Sequence, residues 1–300
     1  MLSGAKPIFL NDKEVFMEIN NIAIIGAGTM GHGVALVASM AGFQVFLRDI
    51  EQEYLDAGLK KIQSSLSRVQ KKGKISEEDA KGALDRIQTT TALKKAIENA
   101  DYIIEAVPEI LDLKKELFAE MDELAPSHAI MATNTSQFRI TAIGSTTMRR
   151  EKIIGAHFFN PPVVRRLVEI VRALDTSDET LARTKSLCEK FGMQTVVCNR
   201  DTAGFITTRL TALWTVEAER IYEEGIASIE DIDKACRLAF GHPMGPFETS
   251  DLVGLDSGLR VRMALSDVYG ERFRPTQTRI NLVESGNYGR KTGRGFYKYE

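Results

Sequence analysis

Apolar and polar positions divide the chain into two regimes. From Ile22 to Cys198, short apolar runs alternate with longer segments at helical spacing. Ile22-Ala23-Ile24-Ile25 reads as a buried strand, followed by an apolar helix from Val34 to Ala41 and a strand over Phe43–Leu47. A charged helix is expected over Glu53–Lys72, ended by Gly73. Ser76 followed by Glu77, Glu78 and Asp79 predicts the cap of a short helix. Further strands are expected at Arg86–Thr89, Asp101–Val107, Ala129–Ala132, Lys152–His157, Leu167–Val171 and Gln194–Cys198. Helices are expected around Ala92–Asn99, along Leu111, Leu117 and Leu124, and over Glu179–Phe191, while a Pro161-Pro162 turn separates two of the strands. Strands alternating with helices predict a parallel sheet covered on both faces. From Ala203 onward the pattern is helical, over about 203–223, 229–240, 247–269 and 276–285, before a glycine-rich tail from Gly289 to Tyr297.

The expected fold class is α/β. A doubly wound, mostly parallel, Rossmann-like sheet occupies residues 1–200, followed by a smaller all-α domain in residues 201–300. Ligands in such a pair sit in the cleft at the carboxyl ends of the strands. No repeat or low-complexity segment interrupts this plan.

Composition narrows the function classes. Hydrophobic residues at 43% and charged residues at 27% suit a soluble globular chain. A net charge of −2 lacks the basic excess of a nucleic-acid binder. Residues 22–47 contain no Asp, Glu, Lys or Arg, which is long enough for a membrane span. Gly26, Gly28, Gly31, Gly33, Gly42, His32 and Gln44 interrupt that run, so it reads as strand, turn, helix and strand buried in a sheet, with no membrane partner. Cys188, Cys198 and Cys236 form no metal spacing and no CxxC, which points to buried, reduced thiols and a cytoplasmic setting. Met1 to Val15 lack the features of a signal or transit peptide, and Met17 reads as a second start behind a leading tail.

The first strand ends in Gly26-x-Gly28-x-x-Gly31, with Thr29 and Met30 between the last two glycines. Such a turn binds a dinucleotide. Gly26 permits the tight turn, Gly28 lets backbone approach a pyrophosphate, and Gly31 lets the helix pack closely. The helix start offers free N–H groups and a positive dipole end to the phosphates. Asp49 ends the second strand twenty-one residues after Gly28, where a ribose-binding acid belongs. The acid favours NAD; Arg48 beside it leaves NADP open. The cations of the next helix, Lys60, Lys61, Arg68, Lys71 and Lys72, read as a solvated face or as a hold for a phosphate-bearing substrate.

Of the four histidines, His32 beside the turn reads as structural, His128 lies in a loop and His242 in a turn before Pro243. His157 ends a strand before Phe158-Phe159-Asn160-Pro161-Pro162. A histidine there suits a general base that takes a hydroxyl proton as hydride leaves. Glu169, twelve residues on, is its candidate orienting carboxylate. Spacing alone equally allows a strand-end histidine and a sheet-edge carboxylate.

Together IGAGTMG, NTS, GAHFFNPP, LVEIV, DTAGF, GHPMGPFE, DLVGLD and GRKTGRGFY resemble the L-3-hydroxyacyl-CoA dehydrogenases, including the short 3-hydroxybutyryl-CoA type, from about Ile22 to Tyr299. The resemblance implies an NAD-dependent enzyme of fatty acid metabolism acting on an acyl-CoA substrate, with His157 as base and Glu169 as its partner. It implies that Ser136 hydrogen-bonds the substrate's 3-oxygen; read alone, Ser136 is equally a helix cap. Asn160 would help fix the nicotinamide end, and Asn134, Glu109, Lys114 and, less closely matched, Lys291 would line the cofactor. No metal is implied, and a homodimer through the helical domain is, with Leu238-Ala239-Phe240 and Leu210 to Val216 as apolar runs for its surface.

The chain departs from the family in two places. Where the family reads Gly-Phe-x-x-Asn-Arg-Leu, Thr208 replaces the substrate-contacting asparagine. Arg165-Arg166 stands where an apolar residue and a lysine are usual, as solvated charges or as contacts to coenzyme A phosphates or an acidic acyl group. Two other readings stand beside the enzyme. One is a dehydrogenase of small free 3-hydroxy acids, which would use a lysine on the second domain; no lysine occurs between Arg200 and Lys234. The other is a non-catalytic protein that keeps the fold, as the related lambda-crystallins do.

Overall fold

The computed structural model describes residues 18–299, so the leading tail and Met17 lie outside the described residues. Eight strands form one sheet: β1 (Asn21–Ile25), β2 (Gln44–Arg48), β3 (Ile87–Thr90), β4 (Tyr102–Glu105), β5 (Ile130–Thr133), β6 (Ile153–Phe158), β7 (Leu167–Arg172) and β8 (Gln194–Cys198). Helices α1 (Gly31–Met40), α2 (Gln52–Lys71), α3 (Glu77–Asp85), α4 (Leu93–Ile97), α5 (Leu111–Leu124), α6 (Ile140–Gly144) and α7 (Asp178–Lys190) cover it. The order across the sheet is β3-β2-β1-β4-β5-β6-β7-β8. The expected doubly wound fold is therefore the one that forms.

Alternation along β1 shows why residues 22–47 carry no charge. Ile22 and Ile24 enter the core beneath α1, α2, α3 and α7, while Ala23 and Ile25 enter the opposite core beneath α4, α5 and α6. Both faces are dry, so every position along the strand must be apolar. Only β6 and β7 pair antiparallel. The segment between them is too short for the crossover that a parallel return needs. The Ser76 cap forms as expected, with its hydroxyl accepting from the Asp79 amide and the Asp79 carboxylate returning to the Ser76 amide. The five-residue α6 carried too few apolar repeats to be expected from sequence.

The second domain is helical: α8 (Thr207–Glu223), α9 (Ile229–Phe240), α10 (Pro246–Val253), α11 (Leu255–Tyr269) and α12 (Gln277–Glu284). Two expectations are corrected. The helix expected over 247–269 is two helices, because Gly254 at φ +103° cannot continue one. The helix expected from 203 starts at Thr207, because Gly204 and Phe205 take positive φ of 74° and 47°. Left-handed backbone at a phenylalanine costs about 1–3 kcal/mol. The buried Phe205 ring offsets this by packing with Ile206 against the apolar core on the α4, α5 and α6 face of the sheet. The glycine-rich tail folds over the buried Asp251, which accepts the Phe296 and Tyr297 amides at 3.0 and 2.9 Å and the Tyr299 hydroxyl at 2.9 Å. A Cβ on Gly295 would stand 2.0 Å from that carboxylate, so this position has no room for a side chain.

The helical domain holds charge at its centre. Glu219 accepts Arg262 Nη1 at 2.6 Å and Arg279 Nη2 at 2.5 Å, and all three are buried. Thr215 accepts a second Arg262 nitrogen and Ser250 a second Arg279 contact, at 2.8 and 2.9 Å. Burial lowers Arg262 to about 10, which leaves it charged at neutral pH. Burial raises the Glu219 carboxyl, but Arg279 and Arg262 outweigh it and hold the group below its ordinary 4.5. Its contribution to stability is therefore full above pH 4.5 and lost as pH falls through the depressed folded value. Glu219→Gln should strand two buried guanidinium groups and cost about 3–5 kcal/mol, read as a lower urea midpoint at unchanged slope. A midpoint equal to that of the parent protein would show that the network does not stabilise the fold.

Candidate active site

The carboxyl ends of β1, β4, β5 and β6 lie side by side, in that order, around the point where the strand order reverses. The glycine turn leaves β1. A Cβ on Gly31 would stand 1.7 Å from the Gly26 carbonyl oxygen, and one on Gly26 2.6 Å from the Ala106 oxygen. These two glycines are demanded by packing. Gly28 is exposed with nothing within 4 Å of its would-be Cβ, so its backbone fronts open space. That opening, with the start of α1 beside it, fits a pyrophosphate. Thr29 is exposed, while the Met30 side chain packs into the core beneath α1. Asp49 holds the turn, accepting the Ala27 amide at 2.7 Å through Oδ2 and the Ile50 amide at 2.7 Å through Oδ1. Arg48 donates to the Thr91 carbonyl at 3.2 Å. His32 Nδ1 lies 2.6 Å from the Gly28 oxygen and so braces the turn.

Three of the expected residues meet beyond β4 and β5. Glu109 accepts the Ser136 amide at 2.7 Å and its hydroxyl at 3.2 Å, and both its oxygens lie 3.0 Å from the Thr135 hydroxyl. Lys114 reaches Glu109 at 3.2 Å and Glu105 at 2.7 Å. Lys114 is fully buried, so its ammonium is committed to these carboxylates. Glu105 had gone unremarked in the sequence. It also accepts the Val107 amide and the Thr133 hydroxyl, each at 2.7 Å. Its signal was present: a carboxylate in the apolar run Tyr102-Ile103-Ile104-Glu105 must find a cation once both sheet faces are covered. Asn134 Oδ1 accepts the Phe158 amide at 2.8 Å, tying the end of β5 to β6. Asn160 is exposed and precedes Pro161 across a cis peptide bond.

The antiparallel register sets His157 directly opposite Glu169. Nδ1 of His157 lies 2.8 Å from Glu169 Oε2. A carboxylate only accepts, so Nδ1 carries the proton and Nε2 keeps its lone pair. The imidazole packs against Phe159 at 4.6 Å and Phe205 at 6.0 Å between ring centres. Glu169 is fully buried and bound from the helical domain. Oε1 accepts the Ile206 and Thr207 amides at 3.1 and 2.8 Å, and Oε2 accepts the Thr207 hydroxyl at 2.8 Å. These amides are the start of α8, whose positive dipole end faces the carboxylate. Burial raises the Glu169 carboxyl, but the bonds from His157 and Thr207 outweigh it and hold the group below its ordinary value. Thr207, thirty-eight residues from Glu169, carried no signal in the sequence. Thr208 follows it, half-buried, on the first turn of α8.

The remaining candidates are spent elsewhere. Lys291 pairs with Asp256 at 2.6 Å. His128 bonds Asp101 at 3.0 Å and so is tied down rather than free in its loop. His242 stands edge-on to Trp214, ring centres 5.0 Å apart. The cations of α2 named above are all exposed.

The profile of the 3-hydroxyacyl-CoA dehydrogenase NAD-binding domain matches residues 21–202, and that of the 3-hydroxyacyl-CoA dehydrogenase C-terminal domain residues 204–299. A probable 3-hydroxybutyryl-CoA dehydrogenase of Bacillus subtilis is 41% identical over 285 residues, 95% of this chain and 99% of that one. The mitochondrial hydroxyacyl-coenzyme A dehydrogenase of Rattus norvegicus is 39% identical over 94% of this chain and 92% of its own. The crystal structure of (S)-3-hydroxybutyryl-CoA dehydrogenase from Ralstonia eutropha superposes with a TM-score of 0.91 at 37% identity, covering 94% of this chain and all of that one. With both profiles matched across the sheet and the helices, the chain belongs to the 3-hydroxyacyl-CoA dehydrogenase family and carries that family's NAD-binding domain.

Proposed function

We propose that the protein oxidises an L-3-hydroxyacyl-CoA to the 3-ketoacyl-CoA with NAD, or runs the reverse reduction. The observation that carries this reading is the His157–Glu169 pair at the carboxyl end of β6, on the same edge of the sheet as the glycine turn. Gly26, Gly28, Thr29, Met30 and Gly31 would hold the pyrophosphate, Asp49 the ribose and Asn160 the nicotinamide end, while Asn134 and Glu109 would line the cofactor; the buried Lys114, expected to line it too, acts only through Glu109. NAD supplies the acceptor for the hydride that leaves C3. His157 Nε2 takes the proton of the 3-hydroxyl, and Glu169 stabilises the imidazolium that results. In reduction the imidazolium returns that proton to the 3-oxygen. Ser136 bonds the same oxygen, its own loop fixed by Glu109. The exposed lysines of α2 and Arg165-Arg166 offer cations to the phosphates of coenzyme A. Three buried, free cysteines suit a reducing compartment, and the cytoplasm is the location we favour, to be checked by cell fractionation.

Acetoacetyl-CoA and NADH test this directly. The parent protein should consume NADH, and His157→Gln should lower kcat about 100- to 10,000-fold while NADH still binds. Gly28→Ala should do the reverse, keeping the fold but weakening NADH binding, since its methyl enters the open face. Oxidation needs the neutral imidazole, because only an unprotonated Nε2 accepts the hydroxyl proton. No NADH consumption would instead favour a non-catalytic protein that keeps the fold.

Thr208 keeps a hydroxyl where the family has an amide, which offers one donor instead of two. Thr208→Asn should raise kcat/KM for acyl-CoA substrates roughly 2- to 10-fold. Equal values across chain lengths would remove Thr208 from the substrate site.

We also propose a homodimer through the helical domain. Leu238, Phe240 and Leu210 are 77%, 67% and 63% exposed, large apolar side chains on the helical domain that a second copy would cover. Of the expected second run, Ala212 and Val216 face the chain's own core instead. Sedimentation should give a dimer, and Phe240→Asp with Leu238→Asp a monomer; a monomeric parent protein would refute the interface.

A further inference from the structure

We propose that Thr207 is a positioning residue that sets how strongly Glu169 holds the protonated form of His157. The inference rests on the reading of His157 as the base. Glu169 Oε2 is shared between two donors, His157 Nδ1 and Thr207 Oγ1, each at 2.8 Å. The backbone amides of Ile206 and Thr207 occupy the other oxygen and do not depend on the Thr207 side chain. The hydroxyl is therefore the one donor on Oε2 that a side-chain change can remove without touching the imidazole. A hydrogen bond to an ionised carboxylate draws charge from the oxygen that receives it. With the hydroxyl present, less of that charge remains to stabilise the imidazolium. Thr207 thus keeps His157 a weaker base than Glu169 alone would make it. The hydroxyl comes from the helical domain and the histidine from the sheet domain, so the base is tuned only when α8 is seated on β7.

Other titratable groups around the pair leave this contact as its adjustable element. Cys198 on β8 has its thiol raised by burial and by the charges of Glu169 and Asp201, so it stays neutral. Asp201 accepts the Ile140 and Thr141 amides at 2.9 and 2.6 Å. Arg209 on α8 is turned onto the Tyr269 ring, 4.1 Å from its centre. Glu109 and Lys114, beyond β5, are paired with each other. None of these groups bonds the Thr207 hydroxyl, whose partner is Glu169.

Thr207→Val keeps the branched shape and deletes the donor; Thr207→Ser keeps the donor. Two measurements apply to each folded variant, checked by its melting temperature. The first is the titration of His157 by NMR, which the chain's four histidines make tractable and His157→Gln assigns. The second is the pH dependence of kcat/KM for oxidation of a 3-hydroxybutyryl-CoA. Thr207→Val should move the His157 midpoint and the acid limb upward together by roughly half a pH unit. Thr207→Ser should return both towards the parent values. If valine crowds Glu169 and the fold is lost, Thr207→Ala replaces it with the same expectation. A His157 midpoint unchanged in the variant lacking the hydroxyl overturns the proposal. If the midpoint moves and the rate profile does not, Thr207 does tune His157, and the failure belongs to the reading of His157 as the base.

Discussion

Glu169 is a carboxylate without access to water, and its four hydrogen bonds come from two domains. One is from His157 across the antiparallel pair, and three are from Ile206 and Thr207 at the start of α8. A buried carboxylate with any of these missing would carry an unmet desolvation cost. The charge therefore fixes the imidazole's tautomer and also fixes where the helical domain begins. The left-handed Gly204-Phe205 turn follows from the same requirement, because it aims the α8 amides back at the sheet. Backbone strain at Phe205 is tolerated because the ring it buries also packs beside His157.

A second buried carboxylate organises the other half of the site. Glu105 anchors Lys114, Lys114 reaches Glu109, and Glu109 receives Ser136. This chain of contacts turns a loop after β5 into a fixed platform on the same edge of the sheet as the open glycine turn. Loops that carry chemistry need such support, since their own backbone is otherwise mobile. The two carboxylate systems stand at neighbouring strand ends, and hydride transfer would take place between them.

The helical domain solves a different problem. Its apolar clusters are small, and its centre is held by Glu219 between two guanidinium groups and by Asp251 beneath the tail. Such networks are geometrically demanding, because each buried charge must keep its partners. Glu219 lies on α8, the helix whose first amides reach Glu169 at hydrogen-bond distance.

The sequence by itself determined what depends on neighbours along the chain. The order of strands and of the longer helices of the sheet domain, the two-faced burial of β1, the Ser76 cap and the glycine turn with Asp49 all follow from local periodicity and short spacings. It also held the motifs that resemble the family. It left His157 and Glu169 open between a catalytic pair and two structural residues, because a twelve-residue spacing acquires meaning only from register. Tertiary structure alone decided that register, the break at Gly254, the late start of α8, and the contacts of Thr207, Glu105 and Glu219. The register and the contacts of Thr207, Glu105 and Glu219 join residues from different elements, and Thr207 and Glu219 reach partners dozens of positions away. Which polar groups must meet is set by which faces of the sheet and helices are dry, and that is a property of the packed chain rather than of any segment of it.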